Sequence, residues 1–167
     1  MKILITAKDG QVGRAMTKEL SKIYDVYSYS KKELNINDNN QVKFFINKIN
    51  PDIFVNTAAY TNVNEAEKNI KLSYDINSKS LITIARETFK INCLLIHFST
   101  DYIFDGKKKE PYIENDIPNP LNIYAKSKLA GENEIKKLNP RHLIFRVGWI
   151  YSVDGNNFLK TILKNSL

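Results

Sequence analysis

Short apolar runs alternate along the chain with amphipathic segments. The apolar runs predict five strands, and apolar residues at helical spacing between them predict helices. A regular alternation of strands and helices is typical of a parallel sheet covered on both faces. The pattern therefore predicts one α/β domain with a doubly wound parallel sheet and flanking helices. The predicted strands span 2–6, 25–30, 52–56 and 92–100, and a fifth strand runs into a loop within 142–151. The predicted helices span 12–22, 39–50, 72–88, a segment carrying Tyr124 and Lys128, and 156–167.

One long connection interrupts this alternation. Residues 104–122 contain three prolines and a glycine among many polar residues. A loop of that length is usually functional in a compact domain. We therefore expect part of the site to lie near it.

The overall composition places the chain among globular proteins. Of its 167 residues, 43% are hydrophobic and 26% are charged. No apolar run approaches the roughly 18 residues of a membrane span, and the apolar run at the N-terminus is too short for a signal peptide. These features predict a cytoplasmic protein with no membrane partner.

The residue types that commonly bind metals are sparse. Cys93 is the only cysteine and lies in an apolar run, which favours a small buried hydrophobe. His97 and His142 are far apart in sequence, with no cysteine or carboxylate at metal-ligand spacing. We predict no metal site.

The net charge of +7 raises the question of a nucleic-acid partner. The basic residues are scattered, however, and the one dense run, GKKKE at 106–110, is typical of a solvated loop tip. The abundance of Lys, Asn and Ile also resembles a general composition bias. We predict no nucleic-acid partner.

Two glycines follow the first predicted strand. Gly10 and Gly13 stand three residues apart where a helix opens. Such glycines let the backbone approach a dinucleotide pyrophosphate at the N-terminus of the helix, although an ordinary turn also fits this spacing. Ala7 occupies the place of the usual first glycine, and alanine disfavours a positive φ angle.

Small and hydroxyl-bearing residues follow the third and fourth strands. Thr57, Ala58 and Ala59 come after the third strand, where a close ligand or a tight strand end explains them equally well. Ser99 or Thr100 ends the fourth strand and offers a hydroxyl donor. Ligands of open α/β sheets bind at this carboxyl edge, and we expect these groups to converge there.

Tyr124 and Lys128 are four residues apart in a predicted helix. Residues at this spacing share one helix face, so their polar ends can serve one site. An exposed surface pair is the alternative on this spacing alone.

Five stretches together carry a family resemblance: GQVG, NTAAYTNVNEAE, STDYIFDG, PLNIYAKSKLAGE and FRVGWIYSVDGNNFLKTIL. In this order the chain resembles the extended short-chain dehydrogenase/reductase superfamily, and within it the dTDP-4-dehydrorhamnose reductase family. The resemblance extends from Met1 to about Lys164. It implies a Rossmann-like NAD(P)-binding domain and the reduction of dTDP-4-dehydro-L-rhamnose at C4 to dTDP-L-rhamnose.

The resemblance implies a catalytic set of Thr100, Tyr124 and Lys128. Tyr124 is expected to protonate the carbonyl oxygen. Lys128 is expected to lower the tyrosine pKa and to hold the nicotinamide ribose, and Thr100 to orient the carbonyl. Tyr102 and Trp149 are expected at the sugar, although a core aromatic is an alternative for Trp149.

The resemblance also implies the residues that hold the cofactor. No acid ends the second strand, and Ser30, Lys31 and Lys32 can accept a 2′-phosphate, so NADPH is favoured over NADH. Asn35 and Asn64 replace acids that the family usually carries. The expected cofactor-binding residues are Gly10, Gln11, Val12, Gly13, Ser30, Lys31, Asp38, Ala58, Ala59, Tyr60, Tyr124 and Lys128.

Members of the family continue into a C-terminal lobe that closes over the nucleotide-sugar. The resemblance therefore implies that 1–167 is an NAD(P)-binding domain without this substrate lobe, which a missing C-terminal half or a homodimer partner would complete. Two alternatives stay open. One is a non-catalytic nucleotide-binding or regulatory relative, and the other is a different nucleotide-sugar reductase or epimerase.

Overall fold

A computed structural model describes residues 1–152 and 157–166. A π-helical turn, Asp75–Lys79, joins the fourth and fifth helices, and a 3₁₀ turn, Asp101–Ile103, follows the fourth strand. The strands are β1 Lys2–Thr6, β2 Asp25–Tyr29, β3 Ile53–Asn56, β4 Leu94–Thr100 and β5 His142–Val147. The helices are α1 Gln11–Leu20, α2 Asn39–Ile49, α3 Val63–Lys68, α4 Ile70–Tyr74, α5 Ser80–Lys90, α6 Ile123–Leu138 and α7 Phe158–Asn165.

The five strands form one sheet in the order β2-β1-β3-β4-β5, and every neighbouring pair is parallel. The predicted doubly wound α/β fold is therefore confirmed. From β1 the chain moves outward to β2 and then returns to β3 on the opposite side of β1. This reversal leaves a crevice between the carboxyl ends of β1 and β3, where open α/β sheets bind ligands.

Both faces of the sheet carry apolar side chains, as expected of parallel strands between helices. Leu4, Phe54 and Leu95 alternate with residues of the other face and pack against α2, α5 and α6. On the opposite face, Ile3, Ile5 and Val55 pack with side chains of α1. At β5 this second face is open, since Leu143 and Phe145 stay 47% and 46% exposed.

Most helices begin at a side chain that satisfies their first backbone N–H groups. Asp38 caps α2, Asn62 caps α3 and Asn122 caps α6. Gly10 precedes α1 and supplies no side-chain cap. The first N–H groups of α1 are therefore available to a ligand.

Two element predictions need correction. The helix predicted over 72–88 begins at Ile70 and contains the π-helical turn, and α3 precedes it. The sequence of α3, VNEAEK, holds too few apolar residues to show a helical stripe. The last strand, predicted to run into a loop within 142–151, spans His142–Val147, and Trp149 beyond it adopts a left-handed φ of 48°.

The predicted last helix begins at Phe158. Gly155, Asn156 and Leu167 of the predicted motif and helix lie outside the described residues. Within the described ranges, every helix is too short or too polar to cross a bilayer.

Candidate active site

The ends of β1 and β3 are joined by a buried hydroxyl. Thr6 Oγ1 accepts hydrogen bonds from the backbone N–H groups of Thr57 and Ala58 at 3.1 and 3.3 Å. The same hydroxyl donates to Asn56 Oδ1 at 2.8 Å. These contacts fix the floor of the crevice and place Ala58 and Ala59 beside it.

The turn between β1 and α1 approaches the sheet closely. Ala7 adopts a φ of 52°, so the turn keeps a left-handed residue although no glycine stands there. A Cβ on Gly13 would lie 2.3 Å from the Ala7 carbonyl oxygen, which only glycine avoids. With no side-chain cap on α1, Gln11 and Val12 present backbone N–H groups that fit an anionic pyrophosphate, whereas the expected Gly10 N–H is already bonded to the Ala7 carbonyl at 2.9 Å.

A carboxylate lies where the sequence analysis saw none. Glu33 accepts a hydrogen bond from the Ser30 N–H at 2.8 Å and pairs with Lys8 at 2.8 Å. Its bond to Lys8, helped by the bonds from Ser30, lowers the pKa of Glu33 to about 2. The expectation of a strand end free of acid is thus corrected: Ser30 and Lys31 share it with a paired carboxylate.

Asp38 caps the N-terminus of α2. Its Oδ1 accepts the N–H groups of Asn40 and Gln41 at 2.9 and 3.1 Å, and its Oδ2 accepts the Gln41 side-chain amide at 3.1 Å. Both oxygens are used in capping α2, so the structure gives no support to the expected cofactor contact of Asp38.

The expected catalytic side chains meet beyond β4. Thr100 ends the strand, and its hydroxyl accepts the Tyr102 N–H at 3.2 Å. The Tyr102 ring stands edge-on to the Tyr124 ring, with 6.3 Å between centroids. Asn122 caps α6, which begins at Ile123, so Tyr124 lies in the first turn and Lys128 in the next.

Tyr124 is largely shielded from solvent, and this sets its acidity. Burial raises the pKa of Tyr124, and the neighbouring Thr100 hydroxyl opposes that rise. The expected lowering by Lys128 is not found. The phenol therefore keeps its proton at neutral pH, which is the form a proton donor needs.

Lys128 is buried with 1% of its surface exposed. Its ammonium nitrogen, Nζ, lies 3.2 Å from His97 Nε2 and also contacts the Phe98 carbonyl oxygen. Burial lowers the pKa of Lys128 to about 7, with a smaller opposing effect of Glu132. Lys128 thus lies on the same helix as Tyr124 but binds groups of β4.

Asn77 links the cofactor crevice to α6. Its side chain accepts the Tyr60 N–H at 2.8 Å, donates to the Tyr60 carbonyl at 3.0 Å and donates to Ser127 Oγ at 3.0 Å. We call these three contacts the Asn77 clamp. Asn77 belongs to the π-helical turn, a feature often found at functional sites.

Trp149 is 62% exposed, so the alternative of a core aromatic is wrong. Its ring packs on Phe158 with 4.4 Å between centroids. Contact with a sugar stays a prediction for this residue.

A cavity of about 940 Å³ lies between β5 and the 104–122 loop. Five consecutive residues of β5, 142–146, form one wall. Asp101 and Tyr102 also line the cavity, whereas the expected catalytic set does not. It therefore belongs mainly to the sheet edge.

Cys93 is buried, as predicted, and burial raises the pKa of its thiol to about 12. Across residues 1–152 and 157–166 no three His, Cys, Asp or Glu side chains form a metal-binding group. The absence of a metal site stays a prediction.

Sequence reasoning missed four polar residues of the site: Glu33, Asn56, Asn77 and His97. Asn56 and His97 stand inside apolar runs at positions that predict buried strand, and a buried polar residue in such a run was the available signal. Glu33 and Asn77 carried no local signal.

Comparison with known proteins gives a consistent result. A dTDP-4-dehydrorhamnose reductase of Aggregatibacter actinomycetemcomitans is 38% identical over 165 residues, 98% of this chain and 56% of that protein. Spore coat polysaccharide biosynthesis protein SpsK of Bacillus subtilis is 38% identical over 164 residues, 98% of this chain and 58% of that protein. The chain thus spans little more than half the length of these relatives.

Solved structures agree with the fold. A dTDP-4-dehydrorhamnose reductase of Bacillus anthracis in complex with NADP superposes with a TM-score of 0.95 at 39% identity, covering 98% of this chain and 58% of that one. A dTDP-4-dehydrorhamnose reductase of Clostridium acetobutylicum superposes with a TM-score of 0.94 at 40% identity, covering 99% of this chain and 59% of that one. The family model described as RmlD substrate binding domain matches residues 1–166, and the chain belongs to that family.

Proposed function

We propose that this chain is the cofactor-binding and catalytic part of an NADPH-dependent dTDP-4-dehydrorhamnose reductase. The observation that carries the proposal is the meeting of Thr100, Tyr102 and Tyr124 at the carboxyl edge of the sheet that also holds the glycine turn. The names of the relatives supply the substrate class.

The reduction adds a hydride and a proton across the C4 carbonyl of the sugar. A bound nicotinamide supplies the hydride. Tyr124, kept protonated by its burial, donates the proton to the carbonyl oxygen. Thr100, beside the phenol, orients that oxygen. The uncapped start of α1 holds the pyrophosphate.

The choice of NADPH rests on the end of β2. Lys31 is exposed there, next to the buried Ser30. Glu33 would repel a 2′-phosphate, but its ion pair with Lys8 offsets that charge. The NADP complex of the Bacillus anthracis reductase supports the same choice.

In this proposal, the rest of the nucleotide-sugar is bound by the portion of the protein that the relatives have and this chain does not span. A second copy of the chain is the other arrangement that could complete the pocket. The reaction is proposed for the cytoplasm.

The test has two stages. Calorimetric titration of the 167-residue chain with NADPH and NADH is expected to give saturable binding, with NADPH the tighter ligand. Turnover is measured on this chain joined to the portion of a relative that it does not span, and NADPH consumption with dTDP-4-dehydrorhamnose is expected to fall by about 10² or more in Tyr124→Phe, which lacks the proton donor.

Tyr24→Phe is the matched control, because Tyr24 lies before β2 at the opposite edge of the sheet. Absence of binding for both cofactors would contradict the proposal. Unchanged turnover in Tyr124→Phe would remove the assigned acid. Tight NADPH binding without any turnover would favour the regulatory alternative.

A further inference from the structure

An ion pair joins the turn after β1 to the end of β2. Lys8 Nζ lies 2.8 Å from one carboxylate oxygen of Glu33 and 3.1 Å from the other. The backbone repeats this connection, because the Lys8 N–H donates to the Tyr29 carbonyl at 3.0 Å. Both side chains remain open to solvent, with 34% of Lys8 and 47% of Glu33 exposed. The pair is therefore fixed in place and still accessible to a ligand.

The Glu33 carboxylate lies where this fold holds the ribose of an adenosine. In doubly wound nucleotide-binding domains, an acid about 20 residues after the glycine turn accepts the ribose 2′-hydroxyl. Glu33 follows Gly13 at about this spacing. Its side chain accepts the Ser30 N–H at 2.8 Å, which holds the carboxylate at the end of β2. Glu33 thus has the residue type, the spacing and the location of a ribose acceptor.

Lys8 brings the opposite charge to the same location. An ammonium group has three N–H donors and no acceptor. The two contacts with Glu33 use two of these donors, so the third can reach an oxygen of a bound phosphate. A phosphate monoester carries nearly two negative charges at neutral pH and three strong acceptor oxygens. The pair therefore offers a donor to a 2′-phosphate and an acceptor to a 2′-hydroxyl.

The neighbouring charges are nearly balanced. Asp9 is exposed on the turn, and Lys31 and Lys32 are exposed just after β2. Together with Lys8 and Glu33 they make three cations against two anions. Because the balance is so close, the loss of one charge is enough to favour a ligand that carries a phosphate or one that carries a hydroxyl.

We propose that Lys8 and Glu33 together set the choice between NADPH and NADH, with Lys8 as a donor to the 2′-phosphate and Glu33 as the acceptor of the 2′-hydroxyl. This inference rests on the proposed function, which takes the crevice as the site of a nicotinamide dinucleotide. Within the pair the two charges largely cancel. Removing one partner leaves the other charge uncompensated and moves the preference in a defined direction.

The first test measures the dissociation constants of NADPH and NADH by calorimetry. Glu33→Gln keeps an oxygen for the Ser30 N–H but removes the negative charge, so the preference for NADPH over NADH should rise about tenfold. Lys8→Met removes the donor to the 2′-phosphate, so the same preference should fall about tenfold, the effect of one hydrogen bond to a charged group.

Glu19→Gln and Lys22→Met are the matched controls, because these residues form another exposed Lys–Glu pair at the far end of α1. Both controls should leave the ratio of the two dissociation constants unchanged. An unchanged ratio in Glu33→Gln and Lys8→Met would overturn the inference. A shift of the same size in the controls would also overturn it, because the effect would then come from net charge alone.

The second test uses adenosine 2′,5′-bisphosphate, a probe that has the 2′-phosphate but no nicotinamide. On binding, the ³¹P signal of the 2′-phosphate should titrate below its ordinary pKa of about 6, because a neighbouring ammonium favours the more highly charged form. In Lys8→Met the midpoint should return toward about 6. Equal midpoints in the two chains would mean that Lys8 does not contact the phosphate, and the inference would be wrong.

These readouts separate the inference from the proposed function. Neither uses turnover, so the expected shifts in a chain that fails to reduce the sugar would contradict the reductase activity and support the role of the pair. Turnover with NADPH and an unshifted ratio in the two variants would support the reductase and overturn the role of the pair. Absence of binding by all three ligands would overturn both.

Discussion

Ala7 carries a local cost that the turn into α1 requires. Its φ of 52° places an alanine where the methyl group crowds the backbone, a cost of ~1–2 kcal/mol for an L-residue. The hydrogen bond from the Gly10 N–H to the Ala7 carbonyl at 2.9 Å, and the close approach of Gly13, hold it there. The folded chain therefore retains this backbone strain, because the turn beside the crevice requires it.

Ala7→Gly should relieve this strain and raise the free energy of unfolding by about 1 kcal/mol, after the greater entropy of glycine in the unfolded chain is counted. Ala15→Gly is the matched control, since Ala15 is exposed within α1 and its replacement should cost about 1 kcal/mol. Urea unfolding of both variants measures the difference. Equal destabilisation by both would show that Ala7 is unstrained.

At the same scale, the limits of sequence reasoning are visible. Thr100, Tyr102 and Tyr124 could be predicted because motifs in register with a known family carry them. Asn56 and His97 could not be assigned a role from the sequence, because that role depends on the contacts they make with side chains of neighbouring strands. Glu33 reaches Lys8 across 25 positions, a pairing that no local pattern encodes.

Among the elements, α6 carries Tyr124 and Lys128 and is fixed at its middle by a buried ion pair. Glu132 is fully buried, and Arg146 of β5 donates to it through Nε at 3.2 Å and through Nη2 at 2.8 Å. Burial alone would raise the pKa of Glu132, but the Arg146 bonds bring it below its usual value. The Ser99 hydroxyl lies close to this carboxylate without a hydrogen bond.

Glu132→Gln leaves Arg146 without its charge partner and should lower the free energy of unfolding by about 3 kcal/mol. The second partner of Glu132 is Lys136, whose side chain is 45% exposed. Lys136→Ala should therefore lower the free energy of unfolding by less than about 1 kcal/mol. Thermal and urea unfolding of the two variants gives the comparison. A loss in Glu132→Gln as small as in Lys136→Ala would mean that the buried pair does not hold α6.

The helices and strands followed from apolar periodicity wherever that periodicity was strong. α3 was missed because it is short and polar, although Asn62 and Glu65 at its start form a capping pattern. The π-helical turn was missed because one extra residue within a helix does not change the apolar pattern recognisably. A tertiary contact marks its place: at Gly131, α6 approaches the turn so closely that a Cβ would lie 2.1 Å from the Asn77 carbonyl oxygen.

For the molecule as a whole, the class of fold was predictable but the strand order was not. Strand order depends on which strands pair, and β1 meets β3 across about fifty residues. The burial of Lys128 has a consequence for the molecule as a whole, because a lysine with a pKa of about 7 affects stability at ordinary pH.

Between pH 7 and about 8.5 the unfolded chain keeps the Lys128 proton, since its pKa there is the ordinary 10.5, while the folded chain loses it. Stability then rises with pH, by up to ~1.4 kcal/mol per pH unit. Lys128→Met should abolish this rise and be more stable than the wild type at pH 7. Above about pH 9, Cys93 acts in the opposite direction, because its thiol ionises only when unfolded.

Urea unfolding of the wild type and Lys128→Met at half-unit steps of pH measures the two slopes. Cys93 contributes equally to both chains, so the difference between them isolates Lys128. Parallel slopes in the two chains would contradict a neutral buried lysine.

The Asn77 clamp has a consequence for anyone who wishes to redesign this fold. It binds the backbone of Tyr60 and the hydroxyl of Ser127, the residue before Lys128, through a single side chain. A protein engineer who reshapes residues 57–60 would shift the neighbouring helix with them. The shape of this segment and the position of α6 are therefore not separate design variables in this fold, and a library that varies the 57–60 segment has to vary residue 77 and its contacts on α6 at the same time.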